Sequence, residues 1–225
     1  MFHVKRQPEG LVEEAGRLGV ALSRDQAEML LAHVAELERW NRRHNLVGPG
    51  NPALWLERHT LDSLAAACRV PRGAGIDAGS GAGFPGIPLA VARPDCTVDL
   101  VEPRRKRAAF LRHVIARVGL ENARVREENV ASLGGDRFDF AVSRAAWDLE
   151  EWLAVGAPLV RPWGRVIAYV GLEPCREEQL RDAGRAAGLE LVEAVRYRAG
   201  AQPERSIAVF DRPAAVFHVE RSPVA

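Results

Sequence analysis

The residues best suited to chemistry are Asp77-Ala78-Gly79-Ser80-Gly81-Ala82-Gly83-Phe84-Pro85-Gly86, a glycine-rich stretch between the apolar run Gly75–Ala78 and the segment Ile87–Ala92. Read as strand, loop and helix, it has the context that a nucleotide-binding turn requires. A Cβ at these glycines would obstruct the tight turn and hold a ligand away from the backbone. The spacing separates ligands. A dinucleotide loop needs glycine or alanine at the sixth position from the first glycine, and Phe84 stands there. No Gly-Lys-Ser/Thr follows, which excludes a P-loop. Glu102 ends the next apolar run, Thr97–Glu102, where a carboxylate can accept from both hydroxyls of a ribose. Its other reading is a surface glutamate paired with Arg104 or Arg107. The glycine loop at the right distance favours the ligand role.

The elements that must position these groups fall into two regions, expected as a helical extension over 1–72 and a ligand-binding domain over 73–225. In the first, Ser23-Arg24-Asp25-Gln26 is a capping box, followed at helical spacing by Leu30, Val34, Leu37 and Trp40. Asn51-Pro52 then offers a cap and a first-turn proline for a second helix that ends near Arg69-Val70-Pro71. From Gly73 strands and helices alternate. Strands are expected at Gly75–Ala78, Thr97–Glu102, Ala123–Arg126, Phe138–Ser143 and Arg165–Val170, with helices at Ile87–Ala92, Arg104–Val118 and Leu149–Val155. Gly119 stands where a helix end favours a left-handed residue. This alternation implies an α/β fold with a mainly parallel sheet. Leu191–Arg198 and Ser206–Asp211 read as a terminal antiparallel hairpin.

Composition bounds the rest. A chain of 225 residues that is 47% hydrophobic and 27% charged is ordinary for a soluble globular protein. A net charge of +1 supplies no global attraction to nucleic acid, so an RNA partner would need a local patch. Cys68, Cys96 and Cys175 are far apart and form no C-x-x-C pair, which suggests neither a metal site nor a disulfide framework but buried small hydrophobes. Met1–Pro8 lacks the apolar stretch of a signal peptide, and no apolar run reaches membrane-spanning length. A cytoplasmic monomer is the expectation.

A G-x-G-x-G loop after a strand bearing an acidic residue resembles the S-adenosylmethionine loop of class I methyltransferases, whose Rossmann-like sheet carries an antiparallel terminal hairpin. The stretch Asp77-Ala-Gly-Ser-Gly-Ala-Gly-Phe-Pro-Gly-Ile-Pro-Leu89 resembles, more narrowly, the small-subunit ribosomal RNA guanine-N7 methyltransferases, the glucose-inhibited division protein B family. Further blocks agree in order: Trp40-Asn41 with Asn45-Leu46, Glu57-Arg58-His59 with Leu61-Asp62-Ser63, Arg105–Leu111, and Ser143-Arg144-Ala145. The resemblance spans roughly Leu22 to Gly171. It implies that Gly79, Gly81, Gly83 and Phe84 line S-adenosylmethionine through the loop, and that Glu102, Pro103 and Arg104 hold its ribose end. The backbone of Val130-Ala131 would meet the adenine, and Arg144 would sit near the methionine portion or the incoming base. The other reading of Arg144 is a surface salt bridge.

The sequence departs from the family at three places. Ala131 replaces a common glutamate, Tyr169-Val170-Gly171 lacks the lysine before the glycine, and the tail Phe217–Ala225 replaces a Tyr-Pro-Arg segment with prolines and basic residues. The last two lie on the substrate side. The implied partner is small-subunit (16S) ribosomal RNA or a partly assembled 30S subunit. Other readings are a divergent relative acting on another RNA, a protein or a small molecule, or a non-catalytic RNA- or cofactor-binding module. Guanine N7 has a free in-plane lone pair, so the reaction rests on alignment and no general base is named. His59, near Arg58 and Asp62 on one helix, reads as a structural partner before a catalytic one; Trp40 and Trp55 read as core aromatics. Arg104-Arg105-Lys106-Arg107 with Arg112 is either a solvated face or a phosphate contact, which Arg42, Arg43 and Arg58 would extend if the helices cover the same cleft.

Overall fold

Ser23 starts the longest helix. Its hydroxyl accepts from the Gln26 amide at 3.1 Å, while the Gln26 side chain accepts from the Ser23 amide at 2.8 Å, closing the capping box. The structure, a computed structural model, describes residues 7–144, 146–171 and 176–214. Ala145, Cys175, residues 1–6 of the amino-terminal segment and the tail Phe217–Ala225 lie outside the described residues.

Helix α1 (Pro8–Arg17) packs on α2 (Arg24–His44). The second helical segment runs unbroken from Pro52 to Leu64 as expected, but not as a uniform α-helix: α3 (Pro52–Trp55), capped by Asn51 Oδ1 on the Leu54 amide, passes into a π-helical turn over Leu56–Leu61 and then into α4 (Asp62–Leu64). A π-helical turn widens the backbone and recurs at functional sites; here it carries Arg58 and His59.

The sheet has seven strands: β1 (Gly73–Ala78), β2 (Cys96–Val101), β3 (Ala123–Arg126), β4 (Phe138–Ser143), β5 (Val160–Val170), β6 (Glu190–Tyr197) and β7 (Arg205–Asp211). Their order is β3-β2-β1-β4-β5-β7-β6. Neighbours pair in parallel except β7, which lies antiparallel between β5 and β6. The terminal hairpin thus completes the sheet as expected. Strand β5 starts earlier than its apolar run suggests, because Val160 already pairs with Phe138 and the ladder resumes only at Arg165 opposite Phe140. The excursion between them contains Pro162 and Trp163, the latter at φ 67°.

Crossover helices α5 (Gly86–Ala92) and α6 (Arg105–Val118) share one face of the sheet with the amino-terminal helices, and α7 (Leu149–Gly156) and α8 (Glu177–Ala186) cover the other. Gly119 ends α6 at φ 66° as its position predicts. Leu30, Leu37, Phe84, Phe110, Leu100 and Phe140 form one continuous core, so the helical segment is built into the sheet's packing. Trp55 is buried in it and Trp40 packs edge-on against Phe110. Of the cysteines, Cys96 is buried as expected, whereas Cys68 is exposed.

The Phe140 ring fills the space above Gly75, where a Cβ would come within 2.0 Å of it. Phe140 is fully buried, so Phe140→Ala should destabilise the fold by about 3–5 kcal/mol, read as a lowered urea midpoint. A loss below about 1 kcal/mol would show that this layer is not packed as described.

Candidate active site

The glycine loop turns at the carboxyl end of β1, with Gly79, Gly81 and Gly83 at φ 68°, 57° and 90°. Ser80 fixes the turn: its amide donates to the Val101 carbonyl at 3.0 Å, its hydroxyl donates to the Asp77 carbonyl at 2.9 Å, and its own carbonyl accepts from Gly83 and Phe84. The glycines differ in what surrounds them. A Cβ on Gly83 would lie 2.4 Å from Ile87, and one on Gly79 would lie 3.0 Å from Ala146. A Cβ on Gly81 meets nothing closer than 3.8 Å, so its missing side chain opens free space above the loop.

Glu102 joins this loop to the end of β2. Its Oε2 accepts from the Gly81 amide at 3.0 Å and its Oε1 from the Arg104 amide at 2.8 Å, while Arg107 stands at 3.9 Å. The carboxylate is 3% exposed, which excludes the surface reading. Pro103 and Arg104 lie exposed just beyond it. Val130-Ala131 forms a tight turn after β3, on the same edge of the sheet, and the Ala131 amide already donates to Asn129 Oδ1 at 3.0 Å. These groups lie outside the carboxyl ends of parallel strands, where open α/β sheets bind ligands.

Arg144 follows β4 and is mostly buried. Its Nη1 donates to Asp62 Oδ2 at 3.1 Å and to the Arg58 carbonyl at 3.2 Å, and its Nη2 donates to His59 Nδ1 at 3.0 Å. The guanidinium lies 5.7 Å from the centre of the Phe84 ring. Phe84 packs its ring against the amino-terminal helices, between His33 at 4.7 Å and His59 at 5.2 Å. Asp62 also accepts from Tyr197 Oη at 2.7 Å and lies 3.4 Å from Arg205.

Sequence reasoning missed several of these residues. His33 donates from Nε2 to the Ala82 carbonyl at 2.8 Å, tying α2 to the loop. Its signal was legible as a polar residue on the Leu30–Val34–Leu37 stripe. Asp77, legible as the acidic residue that opens the loop motif, accepts from the Gly86 amide at 2.9 Å through Oδ2, while its buried Oδ1 has no partner among the described residues. Tyr197 and Arg205 reach Asp62 from the far hairpin, and no local pattern announces them.

A family model described as rRNA small subunit methyltransferase G matches residues 26–208. The ribosomal RNA small subunit methyltransferase G of Alkalilimnicola ehrlichii is 42% identical over 165 residues, covering 73% of this chain and 74% of that protein. The chain belongs to the rRNA small subunit methyltransferase G family. Its counterpart in Xanthomonas axonopodis pv. citri is 39% identical over 176 residues, covering 78% of this chain and 83% of that one. The family match extends past Gly171 through most of the terminal hairpin, further than the motifs alone reach. The fold is that of class I methyltransferases. Magnesium protoporphyrin IX methyltransferase from Synechocystis, solved with bound S-adenosylmethionine, superposes with a TM-score of 0.56 at 19% identity, covering 85% of this chain and 98% of that one. A Burkholderia thailandensis 1,6-didemethyltoxoflavin-N1-methyltransferase gives 0.54 at 19% identity, covering 80% and 88%.

The basic residues sort by place in this family member. Arg39, Arg42 and Arg43 line a groove with Trp40 and His113 between α2 and α6, and Arg107 borders the neighbouring cleft with Asn41 and Asn45–Pro49. The end of α2 and the start of α6 thus flank the same loop. Arg58 instead bonds Gln202.

Burial sets the charge states. Desolvation pushes the His33 pKa down to about 4, and desolvation with Arg144, Arg58 and Arg205 nearby pushes His59 down to about 3. Desolvation raises Asp77 to about 7 against the opposing Gly86 hydrogen bond. A histidine whose folded pKa is depressed stabilises the fold above its unfolded pKa, and that contribution is lost as pH falls towards the folded value. Asp77 acts with the opposite sign, its contribution growing as pH falls from about 7 towards about 4. His33→Gln keeps an amide donor for Ala82 but cannot titrate. It should therefore lose less stability than the unaltered chain between about pH 6.5 and about pH 4.5 in urea unfolding. Equal losses would mean that His33 does not enter the folded core as a neutral group.

Proposed function

We propose that this chain transfers a methyl group from S-adenosylmethionine to N7 of a guanine in small-subunit (16S) ribosomal RNA, with a partly assembled 30S subunit as substrate. The reading rests on one observation above all: a buried carboxylate, Glu102, sits 3.0 Å from the amide of Gly81, the loop glycine that faces open space. That pairing suits a ribose, whose hydroxyls donate to the carboxylate while the sugar occupies the volume a side chain would fill. Pro103 and Arg104 flank the ribose end, and the turn at Val130-Ala131 presents backbone to the adenine. Gly79, Gly83 and Phe84 shape the loop by their backbone. Asp77 Oδ1, buried without a partner, suits a donor at the amino-acid end, near Arg144.

When bound, the cofactor supplies an electrophilic methyl on a sulfonium. The chain's own task is to hold guanine N7 in line with it, because the N7 lone pair attacks without losing a proton. The basic groove of Arg39, Arg42 and Arg43 suits RNA phosphates. In this reading residues 73–225 carry the cofactor, residues 1–72 cover it, and the protein acts as a cytoplasmic monomer. Among the described residues no helix is long and apolar enough to cross a membrane.

Purified chain, labelled cofactor and small subunits lacking the modification should yield labelled 7-methylguanine on nucleoside analysis. Label absent from every nucleoside overturns the proposal. Gly81→Val should abolish binding of S-adenosylhomocysteine in calorimetry, with a stability loss of only about 1–2 kcal/mol from the left-handed backbone. Normal affinity in that variant would place the cofactor elsewhere.

A further inference from the structure

His59 occupies the π-helical turn Leu56–Leu61, between the Phe84 ring and Arg144. A guanidinium has donors only, so the hydrogen bond of 3.0 Å from Arg144 Nη2 makes His59 Nδ1 an acceptor. The imidazole proton is thereby fixed on Nε2. Burial and the surrounding arginines keep the ring neutral. Nε2 has no hydrogen-bond partner among the described residues, and it is not one of the buried atoms left without one. A donor of fixed direction thus stands beside the Phe84 ring of the glycine loop, and among the described residues no acceptor takes it.

The Hoogsteen edge of guanine presents N7 next to O6, both acceptors, whereas adenine carries an amino donor in place of O6. In N7 methylation the N7 lone pair must point at the methyl, so recognition of that edge falls to O6. It requires a donor that cannot also accept. Arg144 commits Nη1 to Asp62 and the Arg58 carbonyl and one Nη2 hydrogen to His59, and its Nε is buried, so its second Nη2 hydrogen is the rival donor, which a His59 variant leaves in place. We infer that the His59 Nε2–H donates to O6 of the guanine being methylated, making His59 a specificity-determining residue that rejects adenine. The inference rests on the guanine-N7 reading above.

Small subunits reconstituted with guanine or 2-aminopurine at the methylated position test it, because 2-aminopurine keeps N7 and lacks O6. Dimethyl sulfate on the same two substrates gives the intrinsic N7 reactivity ratio. Beyond that ratio, the unaltered enzyme should prefer guanine by about 10- to 100-fold in kcat/KM, the effect of a buried hydrogen bond left unmade. His59→Asn can still accept from Arg144 but has no group at the Nε2 position, and its preference should collapse to the intrinsic ratio. His59→Gln, whose amide nitrogen reaches that position, should recover most of it. An unaltered enzyme that prefers guanine no more than dimethyl sulfate does overturns the inference without any variant, as does His59→Asn with the full preference. No 7-methylguanine from the unaltered enzyme on guanine subunits would instead remove the reading beneath it.

Discussion

The site depends on one buried carboxylate. Asp62, at the end of the π-helical turn, accepts from Arg144 after β4 and from Tyr197 on β6, with Arg205 of β7 close by. Asp62 itself lies on an amino-terminal helix, and its partners come from the middle of the sheet and from the terminal hairpin at its far edge. A buried carboxylate with its partner removed costs about 3–5 kcal/mol, yet an intact buried pair adds little over a well-packed apolar replacement. Stability therefore does not explain the arrangement; the fixed angle of Arg144 does. Tyr197 follows the same constraint, since burial and the neighbouring Asp62 raise its pKa well above the ordinary value. Tyr169 adds a hydrogen bond of 2.6 Å from its hydroxyl to the Ser63 carbonyl, securing the residue after Asp62 to β5.

The same covering helices explain the composition of the glycine loop. Phe84 excludes a dinucleotide by its bulk, and the structure shows where that bulk goes: into the layer of His33, His59 and Phe110. A loop with glycine at that position would leave a void beneath α2. Gly83 and Gly86 are glycines because Ile87, Leu100 and Asp77 crowd the positions a Cβ would take. They serve packing on the interior side of the turn, and Gly81 serves the open side. Similar glycines in one motif thus answer to different neighbours.

This division marks what could be read from residues alone. Strand β1, the loop and Glu102 were legible because each depends on neighbours within one βαβ unit, and the capping box at Ser23 is equally local. The terminal hairpin was legible from its two alternating runs. Helix α8 is absent from the expected elements although Leu180, Ala183 and Gly184 lie on one face and its charged residues on the other, a pattern that the residues alone carry. The π-helical turn is hidden because its pattern matches an ordinary helix. Arg144 was placed correctly at a strand end, but its binding to Asp62 joins residues from opposite ends of the core. Tyr197 and Arg205 lie further still along the chain, beyond the reach of any spacing rule.

The charge states at this edge of the sheet agree with a reaction that moves no proton in the attacking step. His33 and His59 are held neutral, and the tyrosines are held as phenols. Asp77, raised to about 7, is the one group here near neutrality, yet its Oδ2 is engaged by the Gly86 amide behind the loop. A site built to remove a proton would place such a group at the open face. Here the open side of the loop carries the Gly81 amide and free space, so in the proposed reaction the chain's leverage lies in orientation. Orientation is only as good as the rigidity behind it. Asp62 supplies that rigidity by tying Arg144, and through it His59, to the terminal hairpin of β6 and β7.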